Sequence, residues 1–140
     1  MWYYNNTEFE PEEEFLQDYV GFVYLITEVA TNKKYIGKKL FWSTKKLPPL
    51  KGKKLRRKVT SQSDWRKYYG SSASLKFLVE EQGQSGYHRE ILRLCKTRGD
   101  CSYWEAKLQF ENDVLLRDEY FNEFIGCKIH SRHLSKSEKL

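Results

Sequence analysis

The chain lacks the roughly 18 to 20 consecutive apolar residues that a membrane-spanning helix requires, and its N-terminus does not show the basic-then-apolar pattern of a secretory signal. A soluble, cytoplasmic protein with no membrane partner is therefore expected. Cysteine is scarce. Cys95, Cys101 and Cys127 leave one thiol unpaired in any disulfide scheme and form no CxxC pair, which argues against a disulfide scaffold and for reduced, structural thiols. Cys127-x-x-His130-x-x-His133, joined by Cys95 or Cys101, offers enough ligands for a zinc knuckle, but its spacing matches no common zinc template. Of the three prolines, Pro48 and Pro49 are adjacent, and they exclude a continuous helix or central strand at that point. Charge of one sign is missing from two stretches: residues 1–18 hold no Lys or Arg, and residues 38–58 hold no Asp or Glu.

A length of 140 residues suits one domain, and an apolar content of 39% with 16% aromatics opposes global disorder despite 31% charged residues. The net charge of +6 is unevenly spread. Glu8, Glu10, Glu12, Glu13, Glu14 and Asp18 lie in the first 18 residues, so residues 19–140 carry 25 basic side chains against 13 acidic ones. Such a body attracts polyanions. By charge alone these are DNA, RNA or an anionic membrane.

Residues 1–18 read as an acidic, aromatic arm whose rings (Trp2, Tyr3, Tyr4, Phe9, Phe15) pack down while its charge faces water. Val20 to Thr27 and Lys34 to Gly37 form a hairpin of two strands. A basic insertion over 38–67 follows, a loop with a short helix near Leu55. Ala73 starts a helix between the N-cap Ser72 and the stop Gly83. Tyr87 to Leu94 reads as a third strand, Thr97 to Asp100 as a polar turn, and Ser102 or Tyr103 to about Leu116 as a second helix. Residues 135–140 look frayed, which leaves 19–134 as the domain. The order of elements describes a small α/β (α+β) sandwich.

Tyr24 and Tyr35 point to one sheet face if the connecting loop has an even number of residues, because side chains alternate along a strand. Either tyrosine alone suits a core position. Together, beside Gly37, they make a polar aromatic surface where a ligand can approach. Glu105, Gln109 and Asn112 form one polar stripe on the second helix. Lys38, Lys39, Lys45, Lys46, Lys51, Lys53, Lys54, Arg56, Arg57 and Lys58 crowd the insertion, as a solvated loop or as a surface that tracks phosphates. Trp42, Trp65, Tyr68 and Tyr69 interleave with these cations, as loop anchors or as platforms for stacking on bases.

Phe22-Val23-Tyr24, with Tyr35-Ile36-Gly37 eleven residues on between the two tyrosines, resembles the paired signature of the GIY-YIG nucleases. The basic segment, Gly70-Ser71-Ser72, the third strand, the Glu-bearing helix and Tyr120-Phe121-Asn122 follow in the same order, so the resemblance covers roughly 20–126. The arm and the Pro-Lys insertion look most like the seg-type homing endonucleases of phages. The resemblance implies a central three-stranded, mostly antiparallel sheet flanked by helices, and Mg²⁺- (or Mn²⁺-) dependent hydrolysis of double-stranded DNA. It implies Glu105 as the metal ligand, Tyr24 and Tyr35 at the attacking water, and Asn122 tying the site together. The family's arginine at the scissile phosphate is implied to be Arg57 or Arg66, because the insertion breaks the usual register and places Lys45 where an arginine would stand. Lys38, Lys39, Lys45, Lys46, Lys51, Lys53, Lys54, Arg56, Lys58 and Trp65 are the candidate nucleic-acid contacts. A non-catalytic DNA- or RNA-binding module is the competing reading, and Glu105 discriminates: a carboxylate facing two tyrosines repels phosphate unless a cation intervenes.

Overall fold

The computed structural model describes residues 1–126 and 131–133. Its centre is the hairpin of β3 (Gly21–Glu28) and β4 (Lys33–Leu40), paired antiparallel without interruption from Gly21↔Leu40 to Glu28↔Lys33. The apolar run of β3 is buried on both faces, as a central strand requires. Its other edge pairs antiparallel with β7 (Tyr87–Cys95), with a register shift between Val23 and Tyr24. These are the three strands expected from sequence, but the sheet has five. β1 (Trp2–Tyr4) runs parallel to β7 and β2 (Thr7–Glu8) turns back against β1, giving the order β2-β1-β7-β3-β4. The arm supplies both extra strands. The turn between them uses Asn5 and Asn6, both at positive φ, which asparagine tolerates better than most residues. A short α1 (Glu13–Leu16) then leads back to β3.

A helix covers each face. On one, α2 (Ala73–Gln82) sets Leu75 and Val79 against Trp2, Phe22, Tyr24, Ile26, Phe41 and Trp65. The Ser72 hydroxyl caps it at the Leu75 N–H, and Gly83, at φ +85°, ends it. On the other face α3 (Arg98–Glu111) packs Cys101, Trp104 and Leu108 over Val23 and Ile36. It starts and ends earlier than expected from sequence. Thr97 is its N-cap, accepting from the Asp100 N–H at 3.0 Å, so the expected polar turn is the first turn of the helix. Cys95 and Cys101 are buried free thiols in contact, and Cys95 and burial push the Cys101 thiol up. Cys127 and His130, and the side chain of His133, lie outside the described residues, so the zinc-knuckle reading rests there.

The basic insertion differs most from its expectation. It is not a loop with a helix but a two-stranded ribbon, β5 (Trp42–Leu47) paired antiparallel with β6 (Arg57–Gln62) in unbroken register from Trp42↔Gln62 to Leu47↔Arg57. Pro48 and Pro49 fall immediately after β5, in the connection, where no ladder N–H is needed. Only Phe41 separates β4 from β5. The Trp42 indole is tied to the Tyr19 carbonyl at 3.0 Å, and the Ser63 hydroxyl to the Leu40 carbonyl at 2.6 Å.

Candidate active site

Across the β3–β4 ladder Tyr24 pairs with Gly37 and Tyr35 with Ile26, so both phenols rise from one face. Their ring centroids are 6.1 Å apart. A Cβ on Gly37 would stand 2.5 Å from Tyr24 Oη and 2.9 Å from Tyr35 Cε1, so glycine is what lets the two rings close over the backbone. Tyr24 is fully buried, and its hydroxyl makes no hydrogen bond among the described residues. The Tyr68 ring stands edge-on to it at 5.9 Å. Burial, then the neighbouring phenols Tyr68 and Tyr35, hold the Tyr24 pKa well above its ordinary 10.0. Tyr35 is half-buried. Burial raises its pKa as well, while the 2.8 Å hydrogen bond it shares with Ser71 Oγ opposes the rise.

Glu105 comes from α3, on the opposite face of the sheet, and at the outer edge of β4 comes near enough to Tyr35 and Tyr24 to act on both phenols electrostatically. Burial pushes its carboxyl above the usual 4.5, opposed by the Lys38 ammonium and the Lys38 backbone N–H, which face it. Lys38 Nζ donates to Ser102 Oγ at 2.5 Å, one turn before Glu105 on the same helix. The edge of β4 is satisfied residue by residue. Lys34 bonds Glu119 and Phe121 through the backbone, both at 2.7 Å. Ile36 N–H donates to Asn122 Oδ1 at 3.1 Å, and its carbonyl accepts from Asn122 Nδ2 at 2.8 Å and Gln109 Nε2 at 2.9 Å. Asn122 thus acts as an extra strand residue that pins the C-terminal segment beside the site. Between these elements opens a cleft of about 390 Å³ lined by Tyr35, Ser71, Ser72, Glu105, Gln109 and Asn122.

A family model described as "Putative endonuclease segE, GIY-YIG domain" matches residues 2–125. The chain belongs to this GIY-YIG endonuclease family. Searches of curated proteins and of solved structures return no match. The family match begins in the arm, in keeping with an arm that forms two strands of the sheet.

Within this GIY-YIG domain Tyr24, Tyr35, Glu105 and Asn122 come together. Arg57 and Arg66 do not line the cleft. Arg57 lies on exposed β6 with its Nε at 3.4 Å from the Pro48 carbonyl. Arg66 stacks on Trp65 at 4.3 Å and donates to Gln62 Oε1 at 2.5 Å. The cations near the phenols are instead Lys38 and Lys39, the latter 4.2 Å from the Tyr68 ring centroid and 2.7 Å from Asp64 Oδ1. Trp65 is a core residue, 1% exposed, with its indole N–H on Gln62 Oε1, so it cannot stack on a base as expected. Lys45, Lys46, Lys51, Lys53, Lys54, Arg56 and Lys58 are all exposed on the ribbon and its connection.

Sequence reasoning gave no site role to Ser71, Gln109 or Arg89, and read Tyr68 only as a loop anchor or a platform for bases. Gln109 was visible as the neighbour of Glu105 on the polar stripe, and Ser71 within the Gly-Ser-Ser motif. Arg89 left no signal, being one charge in an alternating strand. It is 3% exposed, donates to the Arg66 and Tyr68 carbonyls at 3.0 and 2.8 Å, and lies between the Trp2 and Tyr69 rings. This guanidinium fixes the backbone that presents Tyr68.

Proposed function

We propose that this nuclease is an endodeoxyribonuclease that hydrolyses phosphodiester bonds in double-stranded DNA with Mg²⁺ (or Mn²⁺), acting as a phage-type homing endonuclease in the host cytoplasm. One observation carries the reading: a half-buried carboxylate, Glu105, shares a cleft with Tyr35 and acts electrostatically on Tyr24, whose buried hydroxyl has no hydrogen-bond partner among the described residues. A carboxylate that burial makes reluctant to ionise is suited to a cation partner. One carboxylate also suits an ion that keeps most of its waters, since Asn122 and Gln109 are already engaged with Ile36. When bound, the metal would supply Lewis acidity and a lowered water pKa. The chain's own residues do the rest. Their raised pKa values make Tyr24 and Tyr35 neutral hydrogen-bonding groups, fit to orient a water rather than to remove its proton unaided. Lys38 and Lys39 offset phosphate charge beside the phenols. The excess positive charge of residues 19–140 favours a polyanionic substrate, which DNA is.

Incubating the full chain with supercoiled plasmid tests the reading. Nicked or linear product with Mg²⁺, none with EDTA, and none from Glu105→Ala at undiminished DNA affinity are expected. Cleavage by Glu105→Ala at the wild-type rate would overturn it.

A further inference from the structure

We infer that the β5–β6 ribbon lies in the major groove of duplex DNA and reads base edges with one of its two faces. The inference rests on the reading of DNA as substrate. A two-stranded antiparallel ribbon is one of the two protein elements that the major groove admits. This one is covered on neither face beyond its base: from Thr44 to Lys46 and from Arg57 to Ser61 every residue is exposed. Residues 42–63 carry eight Lys and Arg side chains and no acid, so the partner that complements the ribbon is polyanionic.

The register separates two faces. Trp42 and Gln62 share a face with Thr44, Lys46, Lys58 and Thr60, because side chains alternate and the ladder has no bulge. At the base this face is turned to the body: Trp42 donates to the Tyr19 carbonyl, and Gln62 accepts from Trp65 and Arg66, the latter also 3.5 Å from the Pro11 carbonyl of the acidic arm. The opposite face carries Ser43, Lys45, Leu47, Arg57, Val59 and Ser61. A duplex on that face is turned away from the side on which the ribbon meets the Tyr19 carbonyl and, through Gln62 and Arg66, the Pro11 carbonyl of the arm. It meets hydroxyls and long cationic donors of the kind that pair with guanine N7 and O6, and an exposed Val59 suited to a thymine methyl.

Reach sets the distance. Gly37 to Leu47 is ten residues, which span at most about 33 Å at roughly 3.3 Å per residue. The far end of the ribbon therefore lies within about one turn of duplex from the phenols that close over Gly37. Base preference should appear on one side of the cut and within about ten base pairs.

Two matched variants test this, each losing one cation and one hydroxyl from an exposed strand: Lys45→Gln with Ser61→Ala on the reading face, and Lys46→Gln with Thr60→Ala on the other. A randomised duplex library is cleaved by each full-length protein, and a second library is captured by the same proteins carrying Glu105→Gln. Wild type should enrich guanine at one or more positions within that window. The reading-face variant should lose that enrichment by about tenfold, and the other variant should keep it. No wild-type preference in the window, or equal retention by both variants, would overturn the inference. So would a dimer, seen by sedimentation, that breaks on changing the reading face while base preference stays intact, since the ribbon would then be docking on the acidic arm of a second copy. Preference in capture without any cleavage would sustain the ribbon and defeat the nuclease reading, so the two failures are distinguishable.

Discussion

The β4 edge and the β5–β6 ribbon are consecutive in the chain, yet they are held in opposite ways. At the edge, Lys34, Ile36 and Lys38 each find partners from the C-terminal segment or α3, and the rings of Tyr24, Tyr35 and Tyr68 close over a glycine. Beyond Phe41 the ribbon has its own ladder and its anchors at the base, and its cations stand in water. One region is over-determined and the other is free to follow a partner. Catalytic geometry needs the first, because small displacements of reacting groups cost large factors in rate. A surface that tracks a polyanion needs the second. Substitutions at the edge should change rate and stability, and those on the ribbon affinity.

The sharpest way to break the comparison is Tyr24→Phe. It removes one buried hydroxyl that has no partner among the described residues, so stability should hold or rise by about 1 kcal/mol. Cleavage should fall about a hundredfold if the hydroxyl orients the attacking water. Plasmid nicking rates and urea unfolding read the two effects separately. Full activity would return Tyr24 to the core. Asn122→Ala probes the edge itself: it strips the Ile36 N–H of its acceptor in a buried position, at a cost of about 1–3 kcal/mol in urea unfolding. A loss below about 0.5 kcal/mol would show the edge to be less constrained than the ribbon contrast requires.

Much of the edge was legible in the sequence because it is local. The hairpin follows from a doubly buried apolar run and its turn, and α2 from Ser72 and Gly83, which the structure uses as cap and stop. Tyr24 and Tyr35 could be paired because the strand period fixes which side chains share a face, whereas Glu105, which reaches them from the other side of the sheet, was joined to them only by the family resemblance. What the sequence hid depends on long-range pairing. The arm's parallel match to β7 joins Trp2 to Arg89, far apart in the chain. The burial of Arg89 and Trp65 follows from that pairing, not from their neighbours. The ribbon was mistaken for a loop since its strands are polar on both faces and carry no alternation to read. Val59 is its one apolar residue between Trp42 and Gln62 outside the turn-flanking Leu47, Leu50 and Leu55.

A smaller effect on the fold is expected when Lys51, Lys53, Lys54, Arg56 and Lys58 are neutralised together. All five are exposed and outside the ladder's anchored base, so thermal stability should move within about 0.5 kcal/mol. Affinity should fall alike for all DNA sequences, and each lost phosphate contact should flatten the plot of log affinity against log salt by about 0.9. Measured by fluorescence anisotropy, an unchanged slope would make the connection a solvated loop, take Lys58 off the phosphates, and confine DNA contact to the rest of the paired ribbon.

The smallest effect expected is a pH-dependent one at Glu105. Its carboxyl is raised above 4.5, first by burial, and the groups that interact with it are Lys38, Tyr35, Tyr24 and Cys101. A folded-state pKa above the unfolded one means that the native protein binds the proton more tightly. Stability therefore declines as pH rises from the unfolded value through the folded one, and the deficit is complete above it. Glu105→Gln removes the ionisation while keeping the shape. Without metal, the variant should melt above the wild type at neutral pH, and the gap should close as the pH falls below about 4.5. Adding Mg²⁺ should raise the wild-type melting temperature and not the variant's, since a ligand stabilises only the form that binds it. Equal melting curves for both proteins at neutral pH, with and without Mg²⁺, would mean that Glu105 is an ordinary solvated carboxylate, and the constrained edge would then have lost its reason to be held so tightly.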